Sequence, residues 1–311
     1  MNYIILGSGG IGTYYGAKLQ SIGCKVLFIA RGKHLETIKK NGLILNHPTF
    51  NFKEKVSICT FEDLDSKTIE KYDAILFTTK SLSTKKLAEE LSKKVDKSKP
   101  YPYLVSLQNG VENEDIINQY FKEEKIIGGL SRKIGAHIVV PGKIDATGDV
   151  ETIIGALKQT SSNDIFLQNL KNEIIKSNIK CNISNDIRLE LWKKLIINNG
   201  VNAICALLRI KTGILMSNEK LSQIVYGLMN ETAQASKDDN VNITKKDVDQ
   251  MFELIKHFDS IKPSMLVDVE NNRPIELDEI CNVVIKKCKK QNIDAAYTKT
   301  ISTLLEFTYI D

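Results

Sequence analysis

The segment Gly7-Ser8-Gly9-Gly10-Ile11-Gly12 constrains this chain more than any other. It is a GxGxxG hexamer, which alone is a weak pattern. Here an apolar, β-branched run over residues 2–6 precedes it, and residues 11–22 follow with helical spacing up to Gly23. Strand, glycine loop, helix is the context a dinucleotide phosphate requires. Gly7 makes the tight turn, Gly9 lets the backbone approach a pyrophosphate, and Gly12 lets helix and strand pack closely. The helix N-terminus offers N–H groups and a partial positive charge to the phosphates. A plain strand-to-helix turn is the alternative. The next strand, residues 25–30, ends at Arg31. A site built for NAD usually carries Asp or Glu about there, against the ribose 2′-hydroxyl. A guanidinium, with Lys33 close by, suits a 2′-phosphate instead and points to NADP(H). A solvated surface arginine is the alternative.

The rest of the first half keeps the same rhythm. Residues 74–79 (AILFTT), 103–107 and 125–130 read as strands, and 84–95 and 112–121 as helices. Alternating strands and helices imply a parallel sheet covered on both faces. Over residues 136–157 the pattern changes, and Pro141-Gly142 and Gly148-Asp149 read as turns between short antiparallel strands. After about Ser184 no strand is evident. Asp186 is placed to cap a long helix running to about Leu208. Further helices are expected near 220–237, 245–257, 278–291 and 298–307. The fold class expected is therefore an α/β Rossmann-like N-terminal domain, residues 1–184, with an all-α C-terminal domain, residues 185–311. The junction is short, so the active site is expected in the cleft between the domains.

A chain of 311 residues exceeds one ordinary core, which agrees with two domains. No apolar run approaches the roughly 18 residues needed to cross a bilayer, and the N-terminus carries no basic region or cleavage signal. The six cysteines are scattered without a CxxC pair, which suits a reducing cytoplasm. The net charge of +5 is mild, and the lysine run 286–290 has no aromatic residues interleaved as a single-strand binder would. Neither nucleic acid nor membrane is an expected partner. A modest positive field favours anionic small molecules.

Ligands of open parallel sheets sit beyond the carboxyl ends of the strands. Lys80 follows the AILFTT strand and Asn109-Gly110 follows the strand over 103–107, so both are expected on the glycine-loop edge; either could be an ordinary loop residue. In the long helix, Lys194, Asn198 and Asn202 interrupt an otherwise apolar sequence at i, i+4 and i+8, one side of a helix. Polar groups there need partners if buried. A cation and two amides can bind a carbonyl, a hydroxyl and a carboxylate; a solvated stripe is the alternative. His34 and His47 fall in what reads as a loop on the cofactor side, and neither they nor His137 and His257 form a catalytic or metal-binding set.

Together these residues resemble the ketopantoate reductase family. The resemblance rests on the glycine loop, Lys80, Gln108-Asn109-Gly110 and the run Glu190-Leu191-Trp192-Lys193-Lys194-Leu195 through Asn198 and Asn202. It continues in Pro263-Ser264-Met265-Leu266-Val267-Asp268 and in Pro274-Ile275-Glu276-Leu277-Asp278 with Ile280 and Asn282. It implies NADPH-dependent reduction of 2-dehydropantoate to (R)-pantoate, on the route to pantothenate and coenzyme A. By motif, Lys194 is implied as the general acid and Glu276 as the group that positions the lysine or substrate. Asn109, Asn198, Asn202 and Ser264 are implied in holding the 2-keto acid. Gly7, Ser8, Gly9, Gly10, Ile11, Gly12, Arg31, Lys80 and Asn109 are implied on the cofactor side, with no metal. The chain departs from the family pattern at Ala203, Cys205, Pro263 and Val283, which leaves the keto acid open. The alternatives are a reductase of another 2-keto acid, an opine-type dehydrogenase, or a binding protein that senses NADPH without chemistry. A homodimer is compatible with the sequence, which does not fix the oligomeric state.

Overall fold

Tyr3, Ile4, Ile5 and Leu6 are buried, and they alternate between two apolar clusters, Tyr3 and Ile5 in one and Ile4 and Leu6 in the other. A strand buried on both sides must lie inside a sheet covered on both faces. The computed structural model describes residues 1–257 and 260–310. These form two units, one of Met1–Gln108 and Glu112–Ile187, the other of Asn109–Val111 and the chain from Arg188 onward. Phe258, Asp259 and Asp311, in the half expected to be helical, lie outside the described residues.

The first unit runs β1 (Asn2–Leu6), α1 (Gly10–Ser21), β2 (Lys25–Ile29), α2 (Gly32–Asn41), β3 (Leu43–His47), β4 (Phe50–Glu54), β5 (Ser57–Cys59), α3 (Ser66–Ile69), β6 (Ala74–Phe77), α4 (Thr84–Lys94), β7 (Tyr103–Ser106), α5 (Asn113–Asn118) and β8 (Ile126–Arg132). It continues with β9 (Gly135–Val140), β10 (Lys143–Thr147), β11 (Glu151–Ala156), α6 (Ser161–Lys176) and β12 (Lys180–Ile183). Among the described residues, the main sheet has eight strands in the order β12-β11-β8-β7-β6-β1-β2-β5. Its pairings are parallel except β11 against β8.

Buried side chains of α1 and α6, such as Tyr15, Leu19, Phe166 and Leu170, pack on the Tyr3 side of the sheet. Those of α4 and α5, such as Leu91 and Ile117, pack on the Ile4 side. Each large aliphatic or aromatic side chain so buried contributes about 1.5–3 kcal/mol. Helix α1 ends because Gly23 adopts φ +93°. There the N–H groups of Gly23 and Cys24 reach back to the carbonyls of Gln20 and Leu19, the glycine-terminated helix end that left-handed backbone permits.

Residues 136–157 depart from the expectation. Pro141-Gly142 does turn between antiparallel β9 and β10, but Gly148-Asp149 closes no hairpin. Strand β10 belongs to a second, four-stranded sheet, β4-β3-β10-β9, in which it pairs in parallel with β3, whereas β11 pairs with β8 in the main sheet. Gly148, at φ +107°, carries the chain from one sheet to the other. His34 and His47 are not in a loop either. His34 lies on α2 and His47 closes β3, its ring between Thr49 Oγ1 and the Gly148 carbonyl. The local pattern is thin in this stretch: α2 buries only Leu35 and Ile38, and β3 finds its parallel partner far along the chain.

The second unit contains α7 (Ile187–Leu208, whose first residue groups with the first unit), α8 (Thr212–Ser217), α9 (Glu219–Ala235), α10 (Lys245–Lys256), α11 (Ser264–Glu270), α12 (Val283–Lys290) and α13 (Ala296–Tyr309). Among its described residues there is no strand. The helix expected over 278–291 begins with a π turn, Asp278–Asn282, in which the Val283 N–H reaches the Asp278 carbonyl, and continues directly as α12. No helix of the described residues is long and apolar enough to cross a membrane.

Candidate active site

In the first unit the glycine loop leaves the carboxyl end of β1. Register sets Leu6 beside Ile29 and Phe77, so Arg31 beyond β2 and Lys80 beyond β6 leave from the same edge. Both are exposed. The loop is built around its glycines. Gly7 adopts φ +110°, and a Cβ there would stand 2.5 Å from Thr79 Cγ2. A Cβ on Gly12 would meet the Gly7 carbonyl oxygen at 2.1 Å. Gly9 is different: a Cβ on it would project into open space. Ser8 is buried and tied through N and Oγ to the Ile29 carbonyl, both at 2.9 Å. The Thr13 N–H reaches the Gly9 carbonyl at 2.9 Å, the first turn of α1. The helix N–H groups ahead of Thr13, those of Gly10, Ile11 and Gly12, have no carbonyl within their own helix. Open space in front of a glycine, at a helix N-terminus on the ligand edge of a parallel sheet, fits a dinucleotide pyrophosphate.

The second unit brings three of the proposed groups together. Lys194, on α7, donates from Nζ to Asn109 Oδ1 at 2.9 Å. Asn109 donates from Nδ2 to Glu276 Oε2 at 2.9 Å. One amide thus joins an ammonium to a carboxylate, using its acceptor for the cation and its donor for the anion. Glu276 is 5% exposed, whereas Lys194 and Asn109 are half-buried. The segment ahead of the π turn carries Glu276. That turn is cross-tied: Asn282 donates to Asp278 Oδ1 at 2.8 Å and accepts from the Ser302 hydroxyl at 2.7 Å.

The other proposed substrate residues are placed less tightly. Asn198 is half-buried one turn beyond Lys194. Asn202 is buried, and its Oδ1 lies 3.5 Å from the Met265 N–H, the outer limit of a hydrogen bond. Ser264, next to Met265, opens α11 and is exposed. Two residues to which the sequence assigns no role have marked surroundings, Asn199 and, within the Gln108-Asn109-Gly110 motif, Gln108. Asn199 is buried within α7 and donates to Thr232 Oγ1 and Thr298 Oγ1. Gln108 is buried and binds Thr79 and Thr84. The signal they share in the sequence is a polar residue at the end of, or within, an apolar run.

Comparison with known proteins covers both halves. The family described as "Ketopantoate reductase PanE/ApbA" matches residues 3–159, and "Ketopantoate reductase PanE/ApbA C terminal" matches residues 186–308. A curated 2-dehydropantoate 2-reductase of Pyrococcus abyssi (strain GE5 / Orsay) is 29% identical over 296 residues, 95% of this chain and 93% of the relative. That of Lactococcus lactis subsp. lactis (strain IL1403) is 27% identical over 314 residues, 98% of this chain and 97% of the relative. The crystal structure of 2-dehydropantoate 2-reductase from Geobacter metallireducens GS-15 has a TM-score of 0.86 at 26% identity, covering 99% of each chain. The ternary structure of D-mandelate dehydrogenase with NADH and anilino(oxo)acetate has a TM-score of 0.89 at 23% identity, covering 99% of this chain and 97% of that one; this likeness is one of fold. With a family model matching each half, the chain belongs to the ketopantoate reductase family.

Proposed function

We propose that this oxidoreductase reduces 2-dehydropantoate to (R)-pantoate with NADPH, in pantothenate and coenzyme A synthesis. The observation that carries the reading is the Lys194–Asn109–Glu276 chain of hydrogen bonds. Reduction of a ketone requires a hydride for the carbon and a proton for the oxygen; the nicotinamide cofactor supplies the hydride when bound. The Lys194 ammonium stabilises the negative charge that develops on the carbonyl oxygen and then donates the proton. Asn109 and Glu276 hold that ammonium in one orientation. Asn198, Asn202 and Ser264 hold the substrate carboxylate and hydroxyl. In the cofactor site the glycine loop takes the pyrophosphate, Lys80 adds a positive contact, and Arg31 pairs with the 2′-phosphate that distinguishes NADPH from NADH.

Steady-state oxidation of NADPH and of NADH, with ketopantoate and a panel of other 2-keto acids, tests the reading. Ketopantoate with NADPH is the expected best pair; a better substrate elsewhere in the panel moves the assignment to that acid. Lys194→Ala is expected to lower kcat by about 10²–10⁴-fold, the range for general acid catalysis, with NADPH binding retained. Turnover at the parent rate would remove Lys194 from the chemistry. Arg31→Ala is expected to raise the KM for NADPH far more than that for NADH, and equal losses would remove the 2′-phosphate contact.

A further inference from the structure

Gln108 ends the segment that follows β7, and the mechanism gives its side chain no task. It is 4% exposed. Its Nε2 donates to Thr84 Oγ1 at 2.8 Å and to the Thr79 carbonyl at 3.0 Å, with Thr79 Oγ1 at 3.3 Å. Thr84 passes its own hydrogen to Asn113 Oδ1 at 2.9 Å, and both of these residues are buried. An amide nitrogen has two hydrogens, and here one goes to each end of a loop. Thr79 immediately precedes Lys80, and Thr84 opens α4 just after the 3₁₀ turn Ser81–Ser83. One side chain therefore grips both ends of the loop that begins with Lys80.

Two further observations give the grip a purpose. Gln108 Oε1 is buried with no hydrogen-bond partner among the described residues. A buried acceptor without a donor costs stability, and an apolar side chain of similar size would avoid that cost. The oxygen of the amide thus contributes no bond to the fold, and the residue is explained by what its nitrogen holds. Thr79 is also the residue against which Gly7 packs, so its position sets the turn of the glycine loop as well.

We propose that Gln108 is a positioning residue for the nicotinamide dinucleotide: by clamping Thr79 and Thr84 it fixes the loop that presents Lys80. This rests on the reading of Lys80 as a cofactor contact. The test is a double-mutant cycle on the full chain, with NADPH affinity measured by titration calorimetry and stability by thermal unfolding. Gln108→Leu is expected to raise the Kd for NADPH at least tenfold with a modest fall in Tm, since the Thr79 carbonyl and Thr84 hydroxyl lose their donor. The KM for NADPH should rise likewise while that for ketopantoate holds. Lys80→Ala should weaken NADPH to a similar degree. The double variant should bind NADPH within twofold of Lys80→Ala alone, because the clamp acts through the lysine it presents.

NADPH affinity of Gln108→Leu equal to the parent's overturns the inference. So do losses that multiply in the double variant, since they give Gln108 a role independent of Lys80. If Lys80→Ala alone binds NADPH like the parent, the reading of Lys80 fails, and the inference with it; this outcome is distinguishable because it appears in a single variant. Should Gln108→Leu not fold, Thr84→Val, which removes the hydroxyl at the other end of the clamp, is expected to show the same lost additivity with Lys80→Ala.

Discussion

Gly9 and Gly10 are neighbours with opposite physical demands. Gly9 lies at φ −75°, which any residue adopts, and its Cβ position faces open space. Gly10 lies against β9, where a Cβ would stand 2.0 Å from the Ala136 carbonyl oxygen, a backbone atom that cannot turn aside. Gly9→Ala is therefore expected to leave the unfolding free energy within about 0.5 kcal/mol and to weaken dinucleotide binding, because the methyl fills the approach to the pyrophosphate. Gly10→Ala is expected to cost about 1–3 kcal/mol through overpacking. Urea denaturation and NADPH titration of the two variants check this; equal destabilisation by both would contradict a glycine kept for a ligand at position 9.

Helix α7 carries the proposed acid on one side and is anchored by another. Trp192, two residues before Lys194, donates from Nε1 to Asp239 Oδ2 at 3.2 Å, and the same carboxylate accepts from Lys287 Nζ at 2.5 Å. Lys287 is on α12, the helix that follows the Glu276 segment and its π turn. One carboxylate thus ties the helix bearing Lys194 to the helix that continues from Glu276. Asp238, 3.5 Å from the same ammonium, gives partial support.

Removing one partner of a buried ion pair costs about 3–5 kcal/mol, because the other charge is stranded. Asp239→Asn is expected near the low end of that range, since Asp238 remains. Adding Lys287→Met should recover part of the loss by removing the stranded cation. Urea midpoints of the single and double variants measure it. A double variant less stable than Asp239→Asn alone would mean that the lysine stabilises through its packing and not through this pair.

For the molecule as a whole, the cysteines report how tightly each unit is closed. Cys181, Cys205, Cys281 and Cys288 are buried, and all six thiols are free. Burial pushes the first three thiols up to about 12 and Cys288 up to about 11. Cys24 and Cys59 are half-buried, and desolvation raises their values as well. The thiolate is the reactive form, so these shifts suppress reaction at neutral pH. Dithionitrobenzoate is expected to modify no more than Cys24 and Cys59, slowly, in the native protein, and all six thiols in guanidinium. Rapid native modification of four or more would show that the cores open readily.

Features with local causes are legible in the order of residues. The apolar runs of β1, β6 and β7 read as strands because burial on both faces leaves no polar alternation. The i, i+4, i+8 spacing of Lys194, Asn198 and Asn202 reads as one side of a helix because 3.6 residues make a turn. The second sheet is not legible in this way. Its strands are short, and β3 meets β10 through pairing that no nearby residue announces. The meeting of Asn109 with Lys194, 85 residues away, and with Glu276, 167 residues away, has the same character. Periodicity and glycine placement are short-range properties, which the amino-acid sequence carries by itself; which distant donor finds which acceptor depends on chain closure and packing, and only the folded chain decides it.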